Sequence, residues 1–401
     1  MSDAAILVLN AGSSSLKFSL FPPGAGAQAR IQGQIERIHD DPLFTVRGET
    51  SAKTVLGTGH RGHARCLDYL LGWLAPRARV IAAGHRVVHG GIHYDAPVRV
   101  DATVMERLRH LIPLAPLHQP HNLAAIDLLR EMDPALPQVA CFDTAFHATK
   151  LPPASIFALP REWAERGVRR YGFHGLSYEY VARTLAREQP RLAAGRVVVA
   201  HLGSGASMCA LRGGRSLDSS MGFTAVDGLP MGTRCGTLDA GVVLFMIREQ
   251  GLSPDEVELM LYNRSGLLGV SGLSNDMRTL AASADPRAAE AIELFVFRIT
   301  QQLGALAAAM EGLDGLVFTA GIGENSPDIR ARVLNKCAWL GFELDPVANQ
   351  ANAALVTTPT SPRPALVVPT NEELMIAIHT GEVVGRAAMG GMGAYREKPP
   401  V

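Results

Sequence analysis

"LVLNAGSSSLKF", residues 7 to 18, is an apolar run interrupted at Asn10, Gly12 and three serines, then closed by Lys17 and Phe18. A chain that stops burying hydrophobic groups and resumes at once is making a tight turn between two strands, for which glycine and serine supply the backbone geometry. The same composition also suits a phosphate, because backbone N–H groups, hydroxyls and a lysine converge on one spot. The two interpretations are compatible, and the rest of the chain weights them.

The outline recurs. "VVVAHLGSGASMCALRGG", residues 197 to 214, is again an apolar strand, a small polar glycine/serine turn and a second strand. The pair suggests a duplicated fold in which each half offers a phosphate-facing hairpin loop and a ligand is gripped between the halves. A third glycine loop, "FTAGIGENSPDIR", follows a strand and is expected to open a helix at Ser326-Pro327, where N-terminal amides attract anions. None of the three matches GxxxxGKS, GxxxxGKT or GxGxxG, so any nucleotide is held by a different fold. Elsewhere β-rich runs ("AILVL", "RVIAAGHRVVHGG", "QVACFD", "RVVVAHL", "GLVFTAG", "ALVVPT") alternate with amphipathic segments such as "NLAAIDLLREM" and "YEYVARTLARE", the pattern of an α/β protein.

Composition narrows the class. At 401 residues and 47% hydrophobic, the chain has material for two or three cored domains. Lysine plus arginine equal aspartate plus glutamate at 38 each, which removes the charge excess of a general nucleic-acid or membrane-surface binder. Any anion must then be met by local placement of charge. Five cysteines without CxxC spacing read as reduced packing thiols. The apolar run at the N-terminus is too short for a signal peptide, and "AGVVLFMI" at 240 to 247 falls far below the roughly 20 residues of a spanning helix, so a cytoplasmic location is expected.

The candidate chemistry lies in polar groups set among glycines. "GHRVVHGGIHYD" carries Arg86, "RYGFHG" carries His174 and "GLPMGTRCGTLD" carries Arg234. Arginine in such loops, with few carboxylates nearby in sequence, suits bidentate recognition of a carboxylate or phosphate; the alternative is a surface ion pair. His85, His89 and His93 have the spacing of a zinc helix, but Val87-Val88 and Gly90-Gly91 favour a strand running into a turn. Asp143 ends a strand, where it reaches a cleft edge, and Asp276 lies in the loop "SNDMR". In "TNEEL", Thr370 and Glu373 fit a capping box, which leaves Glu372 free to face a magnesium ion or to complement the helix dipole.

Taken together, "LVLNAGSSSLKF", "GHRVVHGG", "APLH", "FDTAFH", "RYGFHG", "HLGSGAS", "DSSMGFT", "GLPMGTRCGTLD", "GIGENS" and "NEELMIA", in this order, resemble the acetate kinase family. The resemblance implies the duplicated actin-like ATPase fold of sugar kinases, chaperone ATPases and actin. It also implies an N-terminal domain over 1–146, completed by a C-terminal helix at 378–401, and a domain over 147–377 carrying most ATP contacts. The implied reaction is reversible in-line transfer of the γ-phosphoryl group of ATP to acetate, giving acetyl phosphate and ADP, with Mg²⁺ or Mn²⁺. Catalytic roles fall on Asp143, His174, Arg234 and His118, and acetate binding on Arg86, Val88, Leu117 and Phe173. ATP contacts fall on Ser13, Ser15 and Lys17, on His201, Leu202, Gly203, Ser204 and Gly205, on Asp276, Met277 and Arg278, and on Gly321, Ile322, Gly323, Glu324 and Asn325. Asn10 and Glu372 match metal positions, and the family implies a homodimer.

Three positions depart from the family pattern: Ser204 for asparagine, Met277 for an aromatic residue and Ala225 for proline beside the acyl pocket. The smaller Ala225 makes a propionate or other short-chain carboxylate kinase the alternative within the class, since one methylene is worth about 1–3 kcal/mol. A noncatalytic ATP-gated actin-like protein is the alternative outside it. That protein would need the nucleotide loops but not Arg86, His174 and Arg234.

Overall fold

A computed structural model describes residues 4–24 and 28–388. These fall into two compact units, one running to Phe146 and resuming at Asn371, the other spanning His147–Thr370. The expected helix at 378–401 is described as the second half of a longer one, Glu372–Ala388, and residues 389–401 lie outside the described residues.

In the first unit an eight-stranded sheet has the order β5-β4-β3-β2-β1-β6-β8-β7. Its strands are β1 (Ala4–Ala11), β2 (Ser15–Phe21), β3 (Ile31–Glu36), β4 (Leu43–Gly48), β5 (Ala52–Val55), β6 (Arg79–Val87), β7 (Val98–Arg99) and β8 (Gln138–Phe142). In the second unit the order is β11-β10-β9-β12-β13, from β9 (Arg196–Leu202), β10 (Ala206–Arg212), β11 (Arg215–Ser219), β12 (Gly315–Thr319) and β13 (Ala365–Val367). The five strands β3-β2-β1-β6-β8 and the five of the second sheet follow one plan. Each begins with two antiparallel pairings, β1 with β2 and β2 with β3, or β9 with β10 and β10 with β11. Each continues with two parallel ones, β1 with β6 and β6 with β8, or β9 with β12 and β12 with β13. The duplication expected from two similar loops is therefore a duplication of whole sheets.

In β2 one face is buried throughout and the other, which carries Lys17, is buried only further along, at Ser19 and Phe21. Leu16, Phe18 and Leu20 are buried while Lys17 is exposed, and Phe18 stacks on Phe44 beneath the helix His63–Leu74, which contributes Cys66, Leu67, Leu70 and Leu74. The helix Glu372–Ala388 packs against β6 and β1. Gly84 of β6 permits that approach: a Cβ there would collide with Thr380 Oγ1 and stand 2.6 Å from Ile376 Cγ2. In the second unit the 24-residue helix Pro286–Ala309 starts at an Asp285 cap and buries Ala288, Ala291, Ile292, Phe295, Ile299, Leu303 and Leu306, a stripe at helical spacing packed against the sheet.

Gly84→Val is expected to overpack this contact at a cost of about 1–3 kcal/mol, read as a fall of several degrees in the thermal midpoint followed by circular dichroism. An unchanged midpoint would show that the helix does not depend on the missing side chain.

Candidate active site

The first unit gathers its polar groups at the carboxyl ends of β1, β6 and β8, where open α/β sheets place ligands. Asn10 lies opposite Lys17 across the β1–β2 hairpin, which puts both on one face above the serine turn. Arg86 on β6 pairs in register with Cys141 of β8, so the next turn of chain delivers Asp143 beside it. The contact is a two-pronged ion pair, Arg86 Nη2 to Asp143 Oδ2 at 2.7 Å and Nε to both oxygens at 3.1 Å. Asp143 is buried, 2% exposed, and its backbone N–H is held by Val87 O. The remaining nitrogen, Nη1, faces Glu372 Oε2 at 3.5 Å. Burial opposes the charge on Arg86, but Asp143 and Glu372 outweigh it and hold the guanidinium above its ordinary pKa. The surface-pair alternative for Arg86 is thus half right: it is paired, yet the pair is sunk at a strand end.

Other groups at the last helix and along β6 differ from expectation. Thr370 is not the cap of the last helix; Asn371 Oδ1 accepts from Leu374 N at 2.9 Å, and the helix starts at Glu372. Asparagine one residue nearer the helix wins that role. His85 sits in β6 and His89 just beyond it, both buried and both pushed down to about 4 by burial, so the zinc-helix spacing falls on extended chain. Val88 is buried, with its N–H bonded to Asn122 Oδ1 at 3.1 Å, and His118 immediately precedes the helix Gln119–Met132.

In the second unit the turn Gly203–Gly205 joins β9 to β10. His174 takes the left-handed conformation, φ 55°, at the start of the helix Gly175–Glu188. Its Nδ1 is 2.8 Å from Ser207 Oγ, which also bonds Tyr178 OH, and its ring stacks on His201 with centroids 4.2 Å apart. His201 is anchored in turn through Nδ1 to Ser177 Oγ at 2.8 Å. This leaves His174 Nε2 turned toward Gly205, where an added Cβ would stand 3.2 Å from it and 3.9 Å from Arg234 Nη1. Gly205 therefore keeps open a space that His174 and Arg234 both face. Arg234 is held there by the Ala225 carbonyl, 2.9 Å from Nη1, a backbone contact that does not depend on the side chain at 225.

Beside this lies a cavity of about 710 Å³ lined by Gly203, Ser204, Asn275, Asp276, Met277, Arg278, Ala281, Gly321, Ile322, Asn325 and Ser326. It brings three segments far apart in sequence to one place, at a size suited to a nucleoside. Leu202, Gly323 and Glu324 do not line it. Leu202 is fully buried, Gly323 is buried against Phe318 and Ala200, and Glu324 Oε1 accepts from the N–H groups of Ala320 and Thr370. Asp276 caps the short helix Met277–Ala281 and pairs with Arg278. The third glycine loop is itself a short helix, Ala320–Asn325, and the expected helix opens after it at Ser326-Pro327, running Pro327–Lys336 with Ser326 at its N-cap. Sequence reasoning also missed Arg330, which is fully buried and donates to the carbonyls of Gly323 and Glu324 and to Asn349 and Asn352. The one hint was an arginine on the apolar stripe between Ile329 and Val333.

The donor set also tests the metal. Among the described residues no three His, Cys, Asp or Glu side chains form a self-sufficient site. Asn10 and Glu372 offer oxygen, the donor of a hard cation, and Asp143, Glu372 and Glu373 together outnumber the one arginine they surround. A divalent ion that keeps several waters and leans on substrate phosphates fits such a partial, oxygen-only, negatively charged set.

Twice-repeated α/β sheets with glycine loops, a nucleoside-sized cavity and half-buried arginines are the features of a phosphotransferase. The profile of the acetokinase family matches residues 5–378, and the chain belongs to that family. It is 53% identical over 403 residues to an acetate kinase of Rhodopseudomonas palustris, covering 98% of this chain and 100% of the relative, and 52% identical over 392 residues to one from Nitrobacter hamburgensis, covering 94% and 95%. Among solved structures it resembles a propionate kinase from Francisella tularensis, TM-score 0.89 at 37% identity, and the acetate kinase of Porphyromonas gingivalis, TM-score 0.87 at 35% identity; each alignment covers 95% of this chain and 100% of the other.

Ile322→Trp would fill the cavity with bulk. ADP affinity, measured by calorimetry, is expected to fall about tenfold, ~1.4 kcal/mol, at an unchanged melting temperature; full affinity would remove this cavity from nucleotide binding.

Proposed function

We propose that this chain is an acetate kinase, catalysing reversible transfer of the γ-phosphoryl group of ATP to acetate. The observation that carries the proposal is identity above 50% to proteins named acetate kinase over essentially the whole chain. The carboxylate is already ionised at neutral pH, so the obstacle is the approach of two anions rather than removal of a proton. Arg86, fixed through Nε and Nη2 by Asp143, offers the acid's carboxylate its Nη1, which otherwise faces Glu372 at 3.5 Å. Asp143, held in a two-pronged pair, fixes that guanidinium. His174 Nε2 and Arg234, which share the space at Gly205, donate to the transferring phosphoryl oxygens, and Lys17 and the serine loop hold the phosphate chain. Asn10 and Glu372 would hold Mg²⁺, which when bound neutralises phosphate charge.

The enzyme acts as a homodimer in this proposal. The helix Ala240–Arg248 is apolar in sequence yet buries none of its residues within the chain, and Leu238, Leu244, Phe245 and Leu259 stand 40–53% exposed. Such a patch suits a second copy. The five cysteines form no disulfide among the described residues and four of them are buried, which suits a reducing cytoplasm.

In a hydroxamate assay with ATP and a panel of short acids, acetate is expected to give the highest kcat/KM, with propionate slower and butyrate slower still; no acyl phosphate from any acid would overturn the assignment. Arg234→Ala should lower kcat about 10²–10³-fold in a folded protein, and near-normal turnover would remove it from the chemistry. Phe245→Asp should convert a dimer to a monomer in light scattering, and an unchanged mass would move the interface elsewhere.

A further inference from the structure

The turn at Ala11–Ser14 is surrounded by donors that come from other elements. Asn122 Nδ2 donates to Ala11 O at 2.7 Å, His63 Nε2 to Gly12 O at 2.8 Å, His39 Nε2 to Ser13 O at 2.8 Å, and Ile38 N to Ser14 O at 3.3 Å. A carbonyl only accepts, so both histidines carry their proton on Nε2. In a trans peptide the N–H points opposite to the C=O of the same plane. The carbonyl directions therefore set the directions of the following N–H groups.

Two of those N–H groups are already used or lie within strand pairing: Gly12 N donates to Ser15 O at 2.8 Å, and Ser15 begins β2. The other two, of Ser13 and Ser14, find no acceptor among the described residues. They belong to the peptide planes whose carbonyls His63 and His39 hold. The rings are braced against one another, His39 edge-on to His63 with centroids 5.8 Å apart and His63 stacked on His121 at 5.5 Å. Each comes from a different segment: His39 from the β3–β4 turn, His63 from the first residue of its helix, His121 from the helix Gln119–Met132.

We infer that His63 and His39 are positioning residues that aim the Ser13 and Ser14 N–H groups at the phosphate chain of the nucleotide. The inference rests on the nucleotide-binding part of the proposed function and extends it to residues that touch no substrate. It separates the two histidines from the groups that recognise adenosine and the acid, because they act on the phosphate loop alone.

The test uses the full chain with His63→Phe, which keeps a flat ring and loses the donor; His63→Gln, which restores an N–H donor; and His39→Ala at an exposed position. ADP and AMP binding are measured by calorimetry, and KM for ATP and acetate and kcat by acyl phosphate formation. His63→Phe should weaken ADP and raise KM for ATP about tenfold, while AMP affinity, KM for acetate and kcat stay within about threefold; His63→Gln should recover most of the loss, and His39→Ala should show a smaller change of the same kind. Unchanged ADP affinity in His63→Phe and His39→Ala overturns the inference. So does an equal loss for ADP, AMP and acetate that glutamine does not repair, the signature of a merely structural role. If the wild type binds ADP but makes no acyl phosphate, the assignment as a carboxylate kinase falls, and the ADP comparison among the variants still decides the loop.

Discussion

A loop can hold an anion only if its own carbonyl oxygens look elsewhere. Every peptide that presents an N–H to a phosphate must dispose of an equally strong acceptor on its other side, and burying that acceptor unpaired costs more than one hydrogen bond returns. In this chain the carbonyls of two glycine-bearing segments are taken, by different chemistry. Around Ala11–Ser14 the acceptors are taken by Asn122, His63, His39 and a backbone N–H. Around Gly323–Glu324 a single buried guanidinium, Arg330, takes both carbonyls and finds Asn349 and Asn352 for its remaining donors.

The charged groups obey a related rule. Arg86 is not free: the Asp143 pair fixes the plane of the guanidinium, and the proximity of Glu372 leaves the surroundings negative. His174 is likewise locked, by Ser207 on one side and the stacked His201 on the other, in a left-handed backbone conformation that a non-glycine residue adopts only when its neighbours impose it. Rigid placement matters more than proton transfer when the reacting oxygen is already ionised.

The sequence made the loops and the duplication legible because both are local: an apolar run, small residues, another apolar run. The strand-end position of Asp143 and the glycine-rich settings of His174 and Arg234 were readable for the same reason. What could not be read was pairing at a distance. Asp143 meets Arg86 across 57 residues, and nothing in "GHRVVHGG" announces it. His39, His63 and Asn122 each look like an ordinary polar residue until the fold brings them to one turn. Local signals also misled where two residues competed for the same role. Asn371 displaced Thr370 as the cap, whereas Ser326-Pro327 opened its helix as the local pattern implied.

The first unit is written in two pieces, with the helix Glu372–Ala388 supplied after the whole of the second. During synthesis the face of β6 around Gly84 has no cover until that helix leaves the ribosome, whereas the uninterrupted stretch His147–Thr370 has all its strands in hand earlier. The carboxylate of Glu372 arrives with the same late helix. A nascent chain that has not reached this helix thus lacks one of the acidic groups facing Arg86, so the order of translation itself withholds that group until residue 372 has been made.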